Sequence, residues 1–222
     1  MRDGLLNYLG QYVSEHKKKV IDNVLDKRTR YLTVVLEDIY HSQNASAVIR
    51  SCDCFGIQDL HVIENKHQYK LNPRVVHGAS RWVDIIAYNA DTDNSTKCFR
   101  DLKEKGYKLI GTVPDQSAVD ISTLSLDEPI ALIFGTEKEG LSHNSKEFCD
   151  QFATVPMYGF TESFNVSVSA ALCMNAIAQK LFKSNVHWRL TEHEKKELKL
   201  QWFREIVHRS DLLEKEFLKT GN

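Results

Sequence analysis

Three polar stretches interrupt an otherwise regular apolar pattern, and each holds side chains able to bind or activate a polar ligand. The first is His41-Ser-Gln-Asn-Ala-Ser-Ala-Val-Ile-Arg50, with Asn44 at a helix start and Arg50 between one and two turns further on. The second is Phe134-Gly-Thr-Glu-Lys-Glu-Gly-Leu-Ser142, which follows the most apolar strand candidate. Gly135 and Gly140 allow tight turns and close approach of a ligand to the backbone, and Glu137 places a carboxylate at the strand mouth. The third, Val155 to Ser169, is rich in Ser and Asn and nearly uncharged, with Ser163 and Asn165 ahead of a long helical pattern. Such a stretch offers hydrogen bonds without charge, which suits a neutral or zwitterionic ligand such as an adenosine or amino-acid moiety. Each stretch also has a plainer reading. Asn44, Ser142, Ser163 and Asn165 can all serve as helix caps, and Arg50 can be a surface cation.

The elements that must position these stretches alternate. Tyr31 to Leu36, Asp59 to Ile63, Val83 to Tyr88, Tyr107 to Val113, Ile130 to Phe134 and Phe152 to Val155 read as strands. Helical patterns lie between them: from Ser42 or Asn44 to about Phe55, from Thr92 to Lys105, from Ser142 to Cys149 and from Val166 to Phe182. This alternation predicts an α/β domain with a mostly parallel sheet covered by helices on both faces, spanning residues 31–184. The three polar stretches then fall at the carboxyl ends of strands, where such sheets bind ligands. Residues 1–30 and 185–222 read as short helical extensions, the second opened by the capping-box pattern Thr191-Glu-His-Glu194.

Composition narrows the class further. Hydrophobic residues make up 42% and charged residues 27% of the 222, an ordinary globular balance. The longest clean apolar run, Ile130 to Phe134, is far below the ~20 residues of a membrane helix. No signal-peptide pattern opens the chain, and five cysteines without framework spacing fit reduced thiols, so a cytoplasmic location is expected. No phosphate loop, G-x-G-x-x-G or G-x-S-x-G is present, and neither the cysteines nor the histidines show metal-ligand spacing, so no metal is expected. The net charge of −1 excludes binding of nucleic acid by bulk charge alone. Residues 1–31, however, carry seven basic against four acidic side chains, a candidate phosphate-binding arm or simply a solvated helix face.

In order and spacing, the three stretches together resemble the signature motifs of the SpoU/TrmH branch of the SPOUT methyltransferases. The first matches N-x-x-A-x-x-R through Asn44, Ala47 and Arg50. The second matches F-G-x-E-x-x-G-L-S from Phe134 to Ser142. The third matches P-M-x-G-x-x-x-S-L-N-V-S from Pro156 to Ser167, except that Phe164 stands where the family usually has Leu. The resemblance covers about residues 31–182.

It implies a C-terminal trefoil knot, a homodimer with sites near the subunit interface, and S-adenosylmethionine as methyl donor. The donor's adenine would be held by backbone groups near Thr112, Val113, Gly135, Val155, Met157 and Phe164. Arg50 would be the catalytic centre, with Asn44, Glu137, Ser163 and Asn165 around it. The expected reaction is methylation of a ribose 2′-hydroxyl of RNA. A guanidinium with a pKa above ~12 is a poor general base, so Arg50 is expected to bind the adjacent phosphate and stabilise the developing alkoxide. Short helices at both ends, basic at the N-terminus, look most like the transfer-RNA enzyme that methylates a D-loop guanosine. Lys17, Lys18, Lys19, Arg28 and Arg30 are then candidate phosphate contacts. A ribosomal-RNA ribose, or RNA binding without catalysis, are the alternatives.

Overall fold

The apolar run after Tyr31 forms strand β1 (Leu32–Glu37), and every residue in it is buried. This is a computed structural model that describes residues 2–66 and 78–219. The other described strands are β2 (Asp59–Ile63), β3 (Asp84–Tyr88), β4 (Lys108–Thr112), β5 (Val119–Asp120), β6 (Ile130–Phe134) and β7 (Gln151–Thr154). Together they make one sheet in the order β3-β2-β1-β6-β4-β7-β5, with every pairing parallel. At its centre Val34 stands opposite Leu60 on one side and Leu132 on the other. A central parallel strand is buried on both faces, which is why β1 and β6 read as continuous apolar runs.

Four described helices cover the sheet: α3 (Ser42–Cys54), α4 (Asn94–Glu104), α5 (His143–Phe148) and α6 (Val166–Leu181). On one face Val34, Leu36, Ile110 and Leu132 pack with Val48, Ile49 and Cys52 of α3 and Ala170, Met174 and Ile177 of α6. On the other face Val35, Leu109, Ala131 and Ile133 pack with Cys98, Phe99 and Leu102 of α4. Full burial of one Leu side chain such as Leu132 stabilises the fold by roughly 2 kcal/mol. Because all strands run the same way, the loops leaving β1, β4, β6 and β7 emerge at one edge of the sheet.

Residues 30–188 form one compact unit, and the segments up to Thr29 and from Arg189 onward form a second. The two terminal extensions therefore fold on each other. Leu5, Leu9, Ile21 and Leu25 of α1 (Arg2–Gly10) and α2 (Glu15–Leu25) are buried, as are Leu198, Trp202 and Phe203 of α7 (Glu192–Ile206). Thr29 and Arg189 pair as an antiparallel bridge, and Lys195, Lys196 and Lys199 reach Asp26, Asp3 and Asp22. The expected capping box is present: Thr191 and Glu194 satisfy each other's backbone amides. The last helix of this unit is α8 (Ser210–Lys219). No described helix is long and apolar enough to cross a membrane.

One local expectation is corrected, and one short strand lay outside the expected set. The cap of α3 is His41, which makes no side-chain cap bond, rather than Ser42 or Asn44. The Asn44 side chain is drawn instead to a carboxylate from another loop, described below. Strand β5 was not foreseen, because two residues pairing with β7 are too short to carry a periodicity.

Candidate active site

The loop leaving β6 is shaped by its glycines. A Cβ on Gly135 would sit 2.1 Å from the Gly140 carbonyl oxygen, so only glycine allows the loop to close there. Thr136 and Gly140 exchange backbone hydrogen bonds of 2.9 and 3.0 Å, and Gly140 has φ of 67°. The result is a closed turn with Glu137, Lys138 and Glu139 at its tip. It ends at Ser142, whose hydroxyl caps α5 by accepting from the Ser145 amide. The plainer reading of Ser142 as a helix cap therefore holds, and the loop still presents Glu137 to the cleft.

Asn44 joins the three polar stretches. Its Nδ2 donates to Glu137 Oε1 at 2.6 Å, and its Oδ1 accepts from Asn165 Nδ2 at 3.2 Å. The opposite amide orientation would turn an oxygen toward the Glu137 carboxylate, so the network allows one assignment. Asn165 does two jobs. Its Oδ1 caps α6 by accepting from the Ser167 amide at 2.9 Å and the Ser167 hydroxyl at 2.7 Å, leaving Nδ2 for Asn44.

Beside this chain lies a cleft of about 540 Å³. All six expected donor-binding residues line it: Thr112, Val113, Gly135, Val155, Met157 and Phe164. Glu137, Ser163 and Asn165 line it too, with Asn44 bonded to its lip. Arg50 is exposed and is not among the lining residues. Six residues along a helix turn a side chain about 120° from the face of Asn44 and carry it ~9 Å up the axis. The structure thus gathers four of the five expected catalytic residues and leaves the fifth outside.

The cleft has the size and mixed lining of a site for a small molecule with apolar and charged parts. Its volume falls within the roughly 300–1,000 Å³ of small-molecule sites. Val113, Leu141, Phe164 and Cys173 offer an apolar wall, while Glu137, Glu162, Lys138 and Lys146 offer charges of both signs. Thr112 is held by its hydroxyl donating to the Ile133 carbonyl at 2.8 Å. Phe164, the residue in place of the usual Leu, stays 40% exposed at the rim.

The expected phosphate contacts separate. Lys17 and Lys19 are exposed on α2, while Lys18 is partly covered and paired with Glu15 at 2.6 Å. Arg28 and Arg30 are both engaged within the fold. Arg28 is 1% exposed, with its guanidinium 5.4 Å from the Trp202 ring centre, so its charge is a core element of the terminal unit. Arg30 binds Asp59 at 3.1 Å and Asp84 at 3.0 Å. Burial raises the Asp59 carboxyl above its ordinary range, and the Arg30 charge opposes that shift.

Two features at the site were passed over in the sequence. Glu37, at the end of β1, is buried and bonds Ser142; as one polar residue closing an apolar run it gave only a weak signal. Tyr158 and Phe160 are almost wholly exposed beside the cleft-lining Met157 and Glu162. Exposed aromatics in a nearly uncharged stretch have no periodicity to mark them.

The sequence profile of the SpoU rRNA Methylase family matches residues 31–175. A tRNA (guanosine(18)-2'-O)-methyltransferase of Borreliella burgdorferi is 38% identical over 217 residues, covering 96% of this chain and 98% of that protein. An enzyme of the same name from Thermus thermophilus is 29% identical, covering 79% of this chain and 89% of its own. Among solved structures, the TrmH/SpoU tRNA modifying enzyme of A. aeolicus superposes with a TM-score of 0.77 at 26% identity, covering 88% of this chain and 98% of that one. The SpoU methyltransferase AviRb of Streptomyces viridochromogenes, solved with AdoMet, shares the fold at a TM-score of 0.60 and 21% identity, over 73% of this chain and 62% of that one.

Proposed function

The chain belongs to the SpoU rRNA Methylase family, and from that premise we propose that it methylates the ribose 2′-hydroxyl of guanosine 18 in the D-loop of tRNA. It is an S-adenosylmethionine-dependent RNA 2′-O-methyltransferase. The observation that carries the reading is the convergence of three distant stretches on one cleft, with Asn44, Glu137 and Asn165 joined at its lip. The tRNA target is supported by the near full-length match to a relative named for that reaction.

The residues present fit the methyl donor. Val113, Val155 and Phe164 would hold the adenine between apolar walls, with backbone groups of the Gly135 loop at its polar edge. Glu137, Ser163 and Asn165 would meet the amino-acid end. When bound, S-adenosylmethionine supplies a methyl group on a sulfonium, ready for in-line displacement. The protein's own work is then alignment and activation of the attacking hydroxyl. The Asn44–Glu137 bond fixes where the carboxylate stands. Arg50 offers a planar guanidinium with several hydrogen-bond donors. Its part is to bind the phosphate beside the target ribose and to stabilise negative charge developing on the oxygen.

Arg50 lies outside the cleft of its own chain, which supports a homodimer in which a second copy brings an arginine to the lip. Val168 and Leu172, one turn apart on α6 and both exposed, offer an apolar strip for that contact. A cytoplasmic setting accords with a tRNA substrate.

The test is mass-spectrometric mapping of 2′-O-methyl sites in tRNA incubated with the protein and S-adenosylmethionine. Methylation confined to guanosine 18, and lost on a transcript with 2′-deoxyguanosine there, is the expected result. Unmodified tRNA alongside methylated ribosomal RNA would overturn the target, and no methylation of either RNA would overturn the enzyme reading.

A further inference from the structure

Glu37 is 2% exposed, and a carboxylate in such a place is costly unless its oxygens are hydrogen-bonded. They are. Oε2 accepts from the Ser142 amide at 3.1 Å, and Oε1 accepts from the hydroxyls of Ser142 at 2.8 Å and Ser95 at 2.9 Å. Ser95, on α4, is itself held by Asn65 Nδ2 at 2.8 Å. The next residue, Asp38, has φ of 52°, a left-handed conformation uncommon for a residue with a Cβ. Its carboxylate accepts from the amides of Asn65 and Lys66 at 2.7 and 2.8 Å. The end of β1 is therefore tied to the loop after β2, to the start of α4 and to the cap of α5.

The loop of residues 135–141 needs its two ends placed before its tip can be. Its entry is held by β6, and its closing turn by the Thr136–Gly140 pair. Its exit is Ser142, and the Glu37 carboxylate is what grips Ser142 by both amide and hydroxyl. We propose that Glu37 is a positioning residue for the methyl-donor cleft: by clamping Ser142 it sets the exit of the loop, and so the place where Glu137 meets Asn44. Glu37 is not among the residues lining the cleft, so it acts through Ser142. The inference rests on the reading of the cleft as the S-adenosylmethionine site.

A carboxylate is needed because three donors converge on it. In Glu37→Gln the amide nitrogen must face either the Ser142 amide or the two hydroxyls, so part of the clamp is lost at nearly constant shape. The test is calorimetric titration of S-adenosylmethionine into the wild type, Glu37→Gln, Ser142→Ala and the double variant, with tRNA binding and thermal unfolding measured alongside. Loss of a hydrogen bond to a charged group predicts about tenfold weaker donor binding in Glu37→Gln. Ser142→Ala, which keeps its amide, should weaken binding by about threefold, and the double variant by no more than about tenfold, since both changes break one clamp. Affinity for tRNA in the absence of the donor should stay within about twofold.

Donor binding at wild-type strength in both single variants, even at a lower unfolding temperature, would overturn the proposal and leave Glu37 a stabilising residue only. Losses that multiply in the double variant would overturn it as well. If Glu37→Gln fails to fold, Ser142→Ala decides alone: weakened donor binding supports the clamp, and unchanged binding overturns it. A wild-type protein that does not bind S-adenosylmethionine overturns the donor reading itself, and this inference with it.

Discussion

The Asn44 amide lies 2.6 Å from a Glu137 carboxylate oxygen, joining the first turn of α3 to a loop 93 residues later in the chain. The bond needs a donor on α3 and a charge on the loop. Asn44→Ala removes the donor and should lower kcat/KM by about 10- to 100-fold, the range for a lost hydrogen bond to a charged partner. Asn44→Asp sets two carboxylates against each other and should cost more near neutral pH. Steady-state methylation assays compare the two, and equal losses would count against charge at this contact.

Arg50 is exposed on another face of α3, so its removal should leave the donor cleft intact. Arg50→Ala is expected to lower kcat by at least about 100-fold, the scale for losing one transition-state donor, while donor affinity holds. Arg50→Lys should recover little, because an ammonium lacks the planar fork. A near-normal rate in Arg50→Ala would remove the residue from the reaction. A sharp pH dependence across neutrality that disappears in that variant would replace the electrostatic role with a proton-transfer one.

The basic residues of the terminal unit should divide in experiment as they do in burial. Lys17→Ala and Lys19→Ala are expected to weaken tRNA binding and to reduce its salt dependence by up to about one unit of the log–log slope per contact. Arg28→Met should leave that slope unchanged and instead lower the unfolding temperature, because the buried guanidinium stacks over Trp202. Salt titrations paired with thermal melts separate the two outcomes. A change of slope in Arg28→Met would show that its charge reaches RNA.

His61 predicts an acid limit on stability. Burial, followed by the nearby Lys105 charge, lowers its pKa from about 6.5 to about 4. The folded state therefore binds this proton less readily than the unfolded chain. The stabilisation is complete above pH ~6.5 and is lost as pH falls toward 4, amounting to roughly 3 kcal/mol at about 1.4 kcal/mol per unit. Urea unfolding at pH 7 and pH 4.5 should show a drop for the wild type that is much smaller for His61→Phe. An identical drop in both would assign the acid sensitivity to other groups.

Much of the fold was readable because its determinants are local. The β-branched runs of β1 and β6, the capping pattern at Thr191 and the helical spacing before Phe182 each act over a few residues. The boundary at residue 188 rather than 184 was not readable. Trp188 is buried in the body's core, with the exposed Phe182 ring 4.7 Å from its own, and no pattern near residue 188 announces that. Arg28 and Lys17 look alike as basic residues near the N-terminus, yet one is buried and the other exposed. Burial depends on Trp202, far away in the chain.

Asn44, Glu137 and Asn165 mark the same division. Residue type and spacing along the chain were enough to name all three and to place them at strand ends, and the resemblance to the SpoU/TrmH branch connected them with methyl transfer. Their mutual contacts were beyond such a reading, since each could have been a cap or a solvated side chain. The parallel sheet brings β1, β6 and β7 to one edge, and that convergence turns Asn44 from a possible cap into a bridge. It also leaves Arg50 outside the cleft and sets Glu37 behind it. Hydrogen bonds form at about 3 Å whatever the sequence separation, so their partners are settled by strand order and packing, which local patterning does not encode.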